Sequence, residues 1–268
     1  MDTETTKYVE LLWTAGLDST FRLVELSRKS GVEIQPYYIK GDRKSTQTEI
    51  EHMYKILDVL HAKDNTVATI NNPIIIEKSS LTMDPEILNA HTEFSKHTWI
   101  GSQYRYLGSF ARAHKGLELS IEKTDADECL HMVTKKVTTD IGDTFVIDES
   151  VDKDLYTIFQ NFTLPVIDKT KDDEYALLHE WGYDDVTALT WFCHNPIKGK
   201  PCGYCHPCCD CMEMGFDFRL DKVAKRRYHL RFFYRIPLEI KNILFKRKNK
   251  KLQKQFLNSN MSNLQPQN

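Results

Sequence analysis

Along the first two thirds of the chain, short apolar runs alternate with longer stretches of helical periodicity. Tyr8-Val9-Glu10-Leu11-Leu12-Trp13 predicts a strand, being short, apolar and aromatic. Thr20–Lys29 predicts the helix that follows, with Gly31 as its stop. Glu33–Ile39 reads as a second strand, and Thr46–Leu60 as a second helix with Ile50, Met53, Tyr54 and Leu57 on one face. Val67–Ile70 reads as a short strand, Gln103–His114 as a helix ended by Gly116, and Leu117–Ile121 as another strand. Asp148–Gln160 is expected to be helical and Phe162–Ile167 extended through Pro165. Thr170-Lys171-Asp172-Asp173 has the form of a cap that opens a helix through Trp181, ended by Gly182. Strands alternating with helices predict an α/β fold, a parallel sheet with helices on both faces.

Composition adds size and an asymmetry. With 268 residues, 41% of them hydrophobic, the chain can bury a sizeable core, and residues 1–192 are expected to form one large α/β domain. There is no run of 18 apolar residues and the opening MDTETTKYVE has no apolar signal segment, so a cytoplasmic protein is expected. The net charge of −2 conceals a basic segment. Residues 222–254 hold 13 Lys or Arg and one acid, Glu239. Cations alternate there with Tyr228, Phe232, Phe233, Tyr234 and Phe245, so 222–257 reads as a basic amphipathic extension. Three roles compete for it: a helix packed on its own domain, a contact with nucleic-acid phosphates, or a contact with an anionic membrane or acidic protein. Residues 258–268 are expected to be disordered.

Six of the seven cysteines fall between 193 and 211. Cys193, Cys202, Cys205 and Cys208 have the spacing C-x8-C-x2-C-x2-C. A tight turn brings thiolates three positions apart to one ion, Gly203 permits that turn, and four sulfurs close a tetrahedral Zn²⁺ site. A disulfide framework would be spread through a short secreted chain. Redox or iron–sulfur chemistry is the other alternative. Cys209, Cys211, His194 and His206 are near enough in sequence to replace a ligand. A site filled by four thiolates has no open position for catalysis, so its expected role is to pin a loop as a zinc-binding segment over 193–221.

The second candidate is Thr14-Ala15-Gly16-Leu17-Asp18-Ser19-Thr20, between the first strand and the first helix. Small residues let a ligand approach the backbone, and amides at a helix start attract anions. The hydroxyls of Thr14, Ser19 and Thr20 can add donors. Asp18 would repel phosphate unless it held a cation, so it fits best as a Mg²⁺ contact. The pattern GxxxxGK[ST] is absent, and an ordinary strand–helix turn with a Ser/Thr cap is the plain alternative.

Together the two motifs resemble a known family. Thr14–Thr20 is similar to the PP-loop, SGGxDS(T), of the ATP pyrophosphatases of the adenine nucleotide α-hydrolase type. A PP-loop first and C-x8-C-G-x-C-x2-C last resembles the 7-cyano-7-deazaguanine synthase family. Pro165–Asp173, Thr190-Trp191-Phe192-Cys193 and, in part, Ile39–Lys44 echo its other segments, so the resemblance covers about residues 6–215. It departs at Ala15, which stands for a glycine and is tolerable only at negative φ. It departs again at Trp99-Ile100-Gly101-Ser102-Gln103, where Ser102 replaces an arginine close to the base substrate, and at Ile121–Cys129, which replaces an acidic, Tyr-containing stretch.

The resemblance implies adenylation of a carboxylate by ATP, release of pyrophosphate, and displacement of AMP by ammonia. In the family a second ATP-dependent step dehydrates the amide to a nitrile. The implied requirements are ATP, Mg²⁺ and structural Zn²⁺, with a small-molecule carboxylate and ammonia as substrates. Residues 14–20 would hold the nucleotide, Asp18 the Mg²⁺, and Arg43 and Lys171 would balance developing charge. For both cations the plain reading is an exposed charge. His97, His131 and His194 receive no role. Asp125, Asp127 and Glu128 read equally as a solvated acidic loop or as contacts to an amino group. The aromatic residues Trp13, Tyr37, Tyr38, Trp99, Tyr104, Tyr106 and Trp191 read as core. A divergent enzyme acting on another carboxylate or a protein acceptor, and a non-catalytic nucleotide- or nucleic-acid-binding module, are the alternatives. A homodimer is one expected assembly.

Overall fold

The computed structural model describes residues 6–97, 100–122 and 134–233. The chain divides into two units, Met1–Phe192 and Cys193–Asn268. Trp99, Asp125, Asp127, Glu128, Cys129, His131, most of the basic extension and the 258–268 tail lie outside the described residues.

The first unit is built on a parallel sheet. Its strands are β1 (Lys7–Leu12), β2 (Val32–Lys40), β3 (Thr69–Ile70), β4 (Ile74–Glu77), β5 (Leu117–Glu118) and β8 (Phe162–Thr163). The order is β3-β2-β1-β5-β8, and β4 also pairs with β2. Helices α1 (Leu17–Ser27), α2 (Thr46–His61), α3 (Pro85–Phe94), α4 (Tyr104–Ala111), α5 (Lys153–Phe159), α6 (Lys171–Glu180) and α7 (Asp184–Leu189) connect and cover it. A two-stranded antiparallel hairpin, β6 (Thr134–Thr139) and β7 (Gly142–Ile147), joins the strand edge through the Leu164 amide, which donates to Phe145 O at 2.8 Å.

Successive strand residues face opposite ways, so β1 feeds two cores. Leu11 packs with Phe21, Leu23, Met53, Ile56, Leu178 and Val186, whereas Leu12 packs with Tyr37, Phe110, Ile158, Phe159 and Phe162. A sheet buried on both faces explains the near-continuous apolar run of β1. β2 tolerates Pro36 because of where it falls. β3 pairs with Glu33 and Ile34, and β4 with Tyr37 to Lys40, so the missing donor of Pro36 faces the gap between them.

The structure trims several predicted elements. Tyr54 points to solvent, at 43% exposure, while Met53 and Leu57 are buried. The Asp148–Gln160 helix begins only at Lys153, because Asp152 caps it through the amides of Asp154 and Leu155. Asp148 instead accepts from Ser150. The extended Phe162–Ile167 segment is a strand for two residues and turns at Pro165. Thr170 and Asp173 form a reciprocal capping box that starts α6, and Gly182 follows at φ +80°.

A buried ion pair fixes α1 to the sheet. Arg22 Nε donates to Glu118 Oε2 at 2.7 Å and Nη2 to Oε1 at 2.5 Å, and Arg22 also pairs with Glu25. Burial opposes the guanidinium charge, but Glu118 outweighs it and raises the Arg22 pKa above its ordinary value. Removing one partner strands the other. Glu118→Gln is expected to lower unfolding free energy by about 3 kcal/mol in urea titration, while Arg22→Met with Glu118→Leu recovers much of that loss.

Candidate nucleotide site and metal centre

β1 ends between β2 and β5, where the chain path changes direction across the sheet. Ligands of open α/β sheets bind beyond the carboxyl ends of strands at such a switch point. The loop Trp13–Gly16 leaves β1 here and delivers Gly16 as the N-cap of α1. The amides of Leu17, Asp18 and Ser19, in the first turn, have no intrahelical acceptor and face outward along the helix dipole. Ser19 Oγ accepts the Thr14 amide at 3.4 Å, which tightens the loop.

Ala15 overturns the expectation of a negative φ. Its φ is +56°, in the left-handed region, and its side chain is buried in the core. The conformation costs a non-glycine residue about 1 kcal/mol. The Trp191 amide, which donates to Ala15 O at 2.8 Å, offsets that cost and fixes the turn. Thr20 also departs from its expected role. It is fully buried and its Oγ1 accepts from Trp13 Nε1 at 3.0 Å, so its hydroxyl braces the loop from beneath. Leu17 packs in the core, leaving only its backbone for a ligand.

Asp18 and Lys171 come together across 153 residues of sequence. Lys171 Nζ is 3.3 Å from Asp18 Oδ1 and also pairs with Glu122 Oε1. Burial disfavours the ammonium, but Asp18 and then Glu122 outweigh it and raise its pKa. Glu174, one turn along α6, completes the cluster and is fully buried. Burial first, and the Asp18 charge second, push its carboxyl far above the ordinary carboxylate range. Arg43 lies on the exposed turn after β2, and its Nη2 donates to Gln103 Oε1 at 3.3 Å. That hydrogen bond involves none of Asp18, Glu122, Lys171 and Glu174.

Sequence reasoning missed Glu122 and Glu174 as site residues. A signal for the second was present. Positions 171, 174, 175 and 178 follow the i, i+3, i+4, i+7 spacing, so Lys171 and Glu174 share the inward stripe of α6 with Tyr175 and Leu178.

In the second unit the four cysteines converge. The sulfurs of Cys193, Cys202, Cys205 and Cys208 lie within 4.8 Å of one another, and all four residues are buried. Cys202–Cys208 and Cys193–Cys205 sulfur separations are 3.9 and 3.8 Å. Tetrahedral zinc with Zn–S bonds of about 2.3 Å requires about 3.8 Å, so the residues fit the ion. The loop between the first two ligands turns at Lys198 and Gly199, with φ of +53° and +71°, and Ile197 and Lys200 exchange backbone hydrogen bonds across it. The amides of Tyr204 and Cys205 donate to Cys202 Sγ at 3.4 and 3.3 Å, which suits a thiolate. Hydrogen bonding with Cys193 lowers the pKa of Cys202 and raises that of Cys208, as expected where neighbouring thiols share protons.

Helix α8 (His206–Glu213) carries Cys208, and helix α9 (Lys222–His229) packs on the knuckle. A Cβ on Gly203 would lie 2.0 Å from Ala224 O, so only glycine allows this approach, and its φ of +83° requires glycine as well. The substitute ligands are not used. His206 is largely exposed and pairs with Asp210 at 2.8 Å, and Cys209 Sγ points to Tyr204 O.

The open parallel sheet, the small-residue loop at its switch point and the four-thiol cluster define an α/β protein of PP-loop type carrying a candidate structural metal centre. The family of queuosine biosynthesis protein QueC matches residues 9–218, and the chain belongs to that family. No curated protein and no solved structure matches it significantly.

The purified protein is expected to hold about one zinc per chain by metal analysis. Zinc binding releases thiol protons, so affinity falls as pH drops, and metal loss measured with a chromogenic chelator should accelerate below neutrality. Cys205→Ser and Gly203→Ala should each lower both metal content and thermal midpoint.

Proposed function

We propose that this chain is an ATP-dependent carbon–nitrogen ligase that converts 7-carboxy-7-deazaguanine to its nitrile. The observation that carries the reading is the placement of Asp18 and Lys171 together at the start of α1, at the switch point of a sheet in a QueC family member. The substrate carboxylate attacks the α-phosphorus of ATP, pyrophosphate leaves, and an acyl-adenylate forms. Ammonia adds to the acyl carbon and AMP departs, giving the amide. A second ATP activates the amide oxygen, and loss of that oxygen as AMP with the amide protons leaves the nitrile.

The protein's part is positioning and charge balance. Backbone donors at 16–19 suit the oxygens of the departing pyrophosphate, and the left-handed turn at Ala15 aims them. Asp18 fits a Mg²⁺ ion, which would neutralise phosphate charge when bound. Lys171, held between Asp18 and Glu122, is placed to meet negative charge that develops as the α–β bond breaks. Arg43, on the turn after β2, is suited to the outer phosphates or the substrate.

Given 7-carboxy-7-deazaguanine, ammonia, ATP and Mg²⁺, the protein should release pyrophosphate and form the nitrile, followed by mass spectrometry. Lys171→Ala should reduce kcat by about 10²-fold or more, and Asp18→Asn likewise, with circular dichroism checking each variant's fold. Absence of pyrophosphate release with this acid but release with another in a carboxylate screen would assign a different acyl substrate, a reading favoured by Ser102.

A further inference from the structure

Helix α9 has two unlike sides. Its inner side is set by the metal knuckle, where Ala224 is fully buried and its carbonyl lies against Gly203. At about 3.6 residues per turn, Lys222, Arg226 and His229 fall opposite Ala224, with Val223 and Leu230 on the flank, and all five are exposed. Val223 and Leu230 are 53% and 39% exposed, and Phe232 and Phe233, just beyond the helix, are 69% and 71% exposed. Nearby cations are engaged within the unit: Lys225 pairs with Asp217, and Arg231 stacks on Tyr228 and pairs with Glu213. Lys222 and Arg226 have no ion pair among the described residues. Large apolar side chains and unpaired cations thus share the outer side of one helix and its exit.

We propose that this outer side of α9, with Phe232 and Phe233, docks on the surface of an anionic lipid bilayer. Cations beside exposed apolar side chains match such a surface twice, through its negative headgroups and through the acyl boundary beneath them. The sequence that follows keeps the same composition. Ile236, Leu238, Ile240, Ile243, Leu244 and Phe245 run among Arg235, Lys241, Lys246, Arg247 and Lys248, with Glu239 as the one acid of 222–254. That mixture separates lipid from nucleic acid. Single strands are held by cations and by aromatic rings on which bases stack, and Val, Ile and Leu offer a base no such platform. Here aliphatic side chains outnumber aromatic ones, which suits acyl chains. The contact is peripheral, since no helix among the described residues is long and apolar enough to cross a membrane. The knuckle's part is mechanical: it holds the Ala224 side of α9 and turns the opposite side outward.

The test is flotation of the full-length protein with vesicles of phosphatidylcholine alone and of phosphatidylcholine with about one third phosphatidylglycerol. The proposal expects binding to the anionic vesicles at least about tenfold tighter than to the neutral ones, weakening as salt is raised. Phe232→Ser with Phe233→Ser, and separately Lys222→Gln with Arg226→Gln, should each weaken it about tenfold or more. All four side chains are exposed, so melting temperature and zinc content should match the unmodified protein in both variants. No binding to anionic vesicles overturns the proposal. So does binding that both double variants leave unchanged. Gel-shift binding of a single-stranded RNA that both variants lose, without vesicle binding, assigns the surface to nucleic acid instead. Self-association in sedimentation that Phe232→Ser with Phe233→Ser abolishes, again without vesicle binding, assigns it to a second copy of the chain.

Discussion

Charge balance along α1 is the constraint on which the nucleotide-side architecture depends. Asp18 and Arg22 lie four positions apart on this helix, with opposite charges, and each is paired on a different element. Arg22 is locked to Glu118 on β5, and Asp18 to Lys171 on α6. Arg22 and Glu118 are withdrawn from water, where an unpaired ion costs several kcal/mol, while Asp18 and Lys171 are half-buried. The helix therefore cannot slide or rotate without stranding a charge. Apolar packing of Phe21, Leu23, Val24 and Leu26 supplies most of the adhesion, but packing alone is non-directional. The ion pairs set the register, and the register sets where the amides of the first turn point.

The same constraint explains why a left-handed alanine persists at the strand–helix turn. Its carbonyl is held by the Trp191 amide from above, its methyl is buried from below, and Thr20 and Trp13 close the floor through their hydrogen bond. A strained residue survives where the surroundings over-determine it. The deciding hydrogen bond comes from Trp191, far along the chain, which is why the turn's φ could not be read from residues 14–16.

The alternation of strands and helices was legible because each element follows its own period, and the capping box at Thr170 was legible because it is local. Boundaries were less so. Whether Asp148 or Asp152 caps α5 depends on which carboxylate finds two free amides, and β5 stops where pairing with β8 ends. The β6–β7 hairpin and α3 escaped notice although Asp84-Pro85 is a cap followed by proline at the helix start. In the site, spacing revealed the four cysteines and the loop because their chemistry is sequential. Glu174 stayed hidden because its meaning lies in what faces it: an acid on a helix stripe becomes exceptional only once burial and Asp18 are known.

The thiol cluster is soft, closed and complete within Cys193–Cys208, with amides directed at its sulfur. Soft thiolates select zinc over hard cations, which prefer oxygen donors. Four of them also fill a tetrahedral shell and leave no open position, so the donor set suits a permanent structural ion and not one exchanged in a reaction. The left-handed turn at Lys198 and Gly199 and the close approach of Gly203 to Ala224 bring the four sulfurs together through backbone geometry that few other residues could adopt.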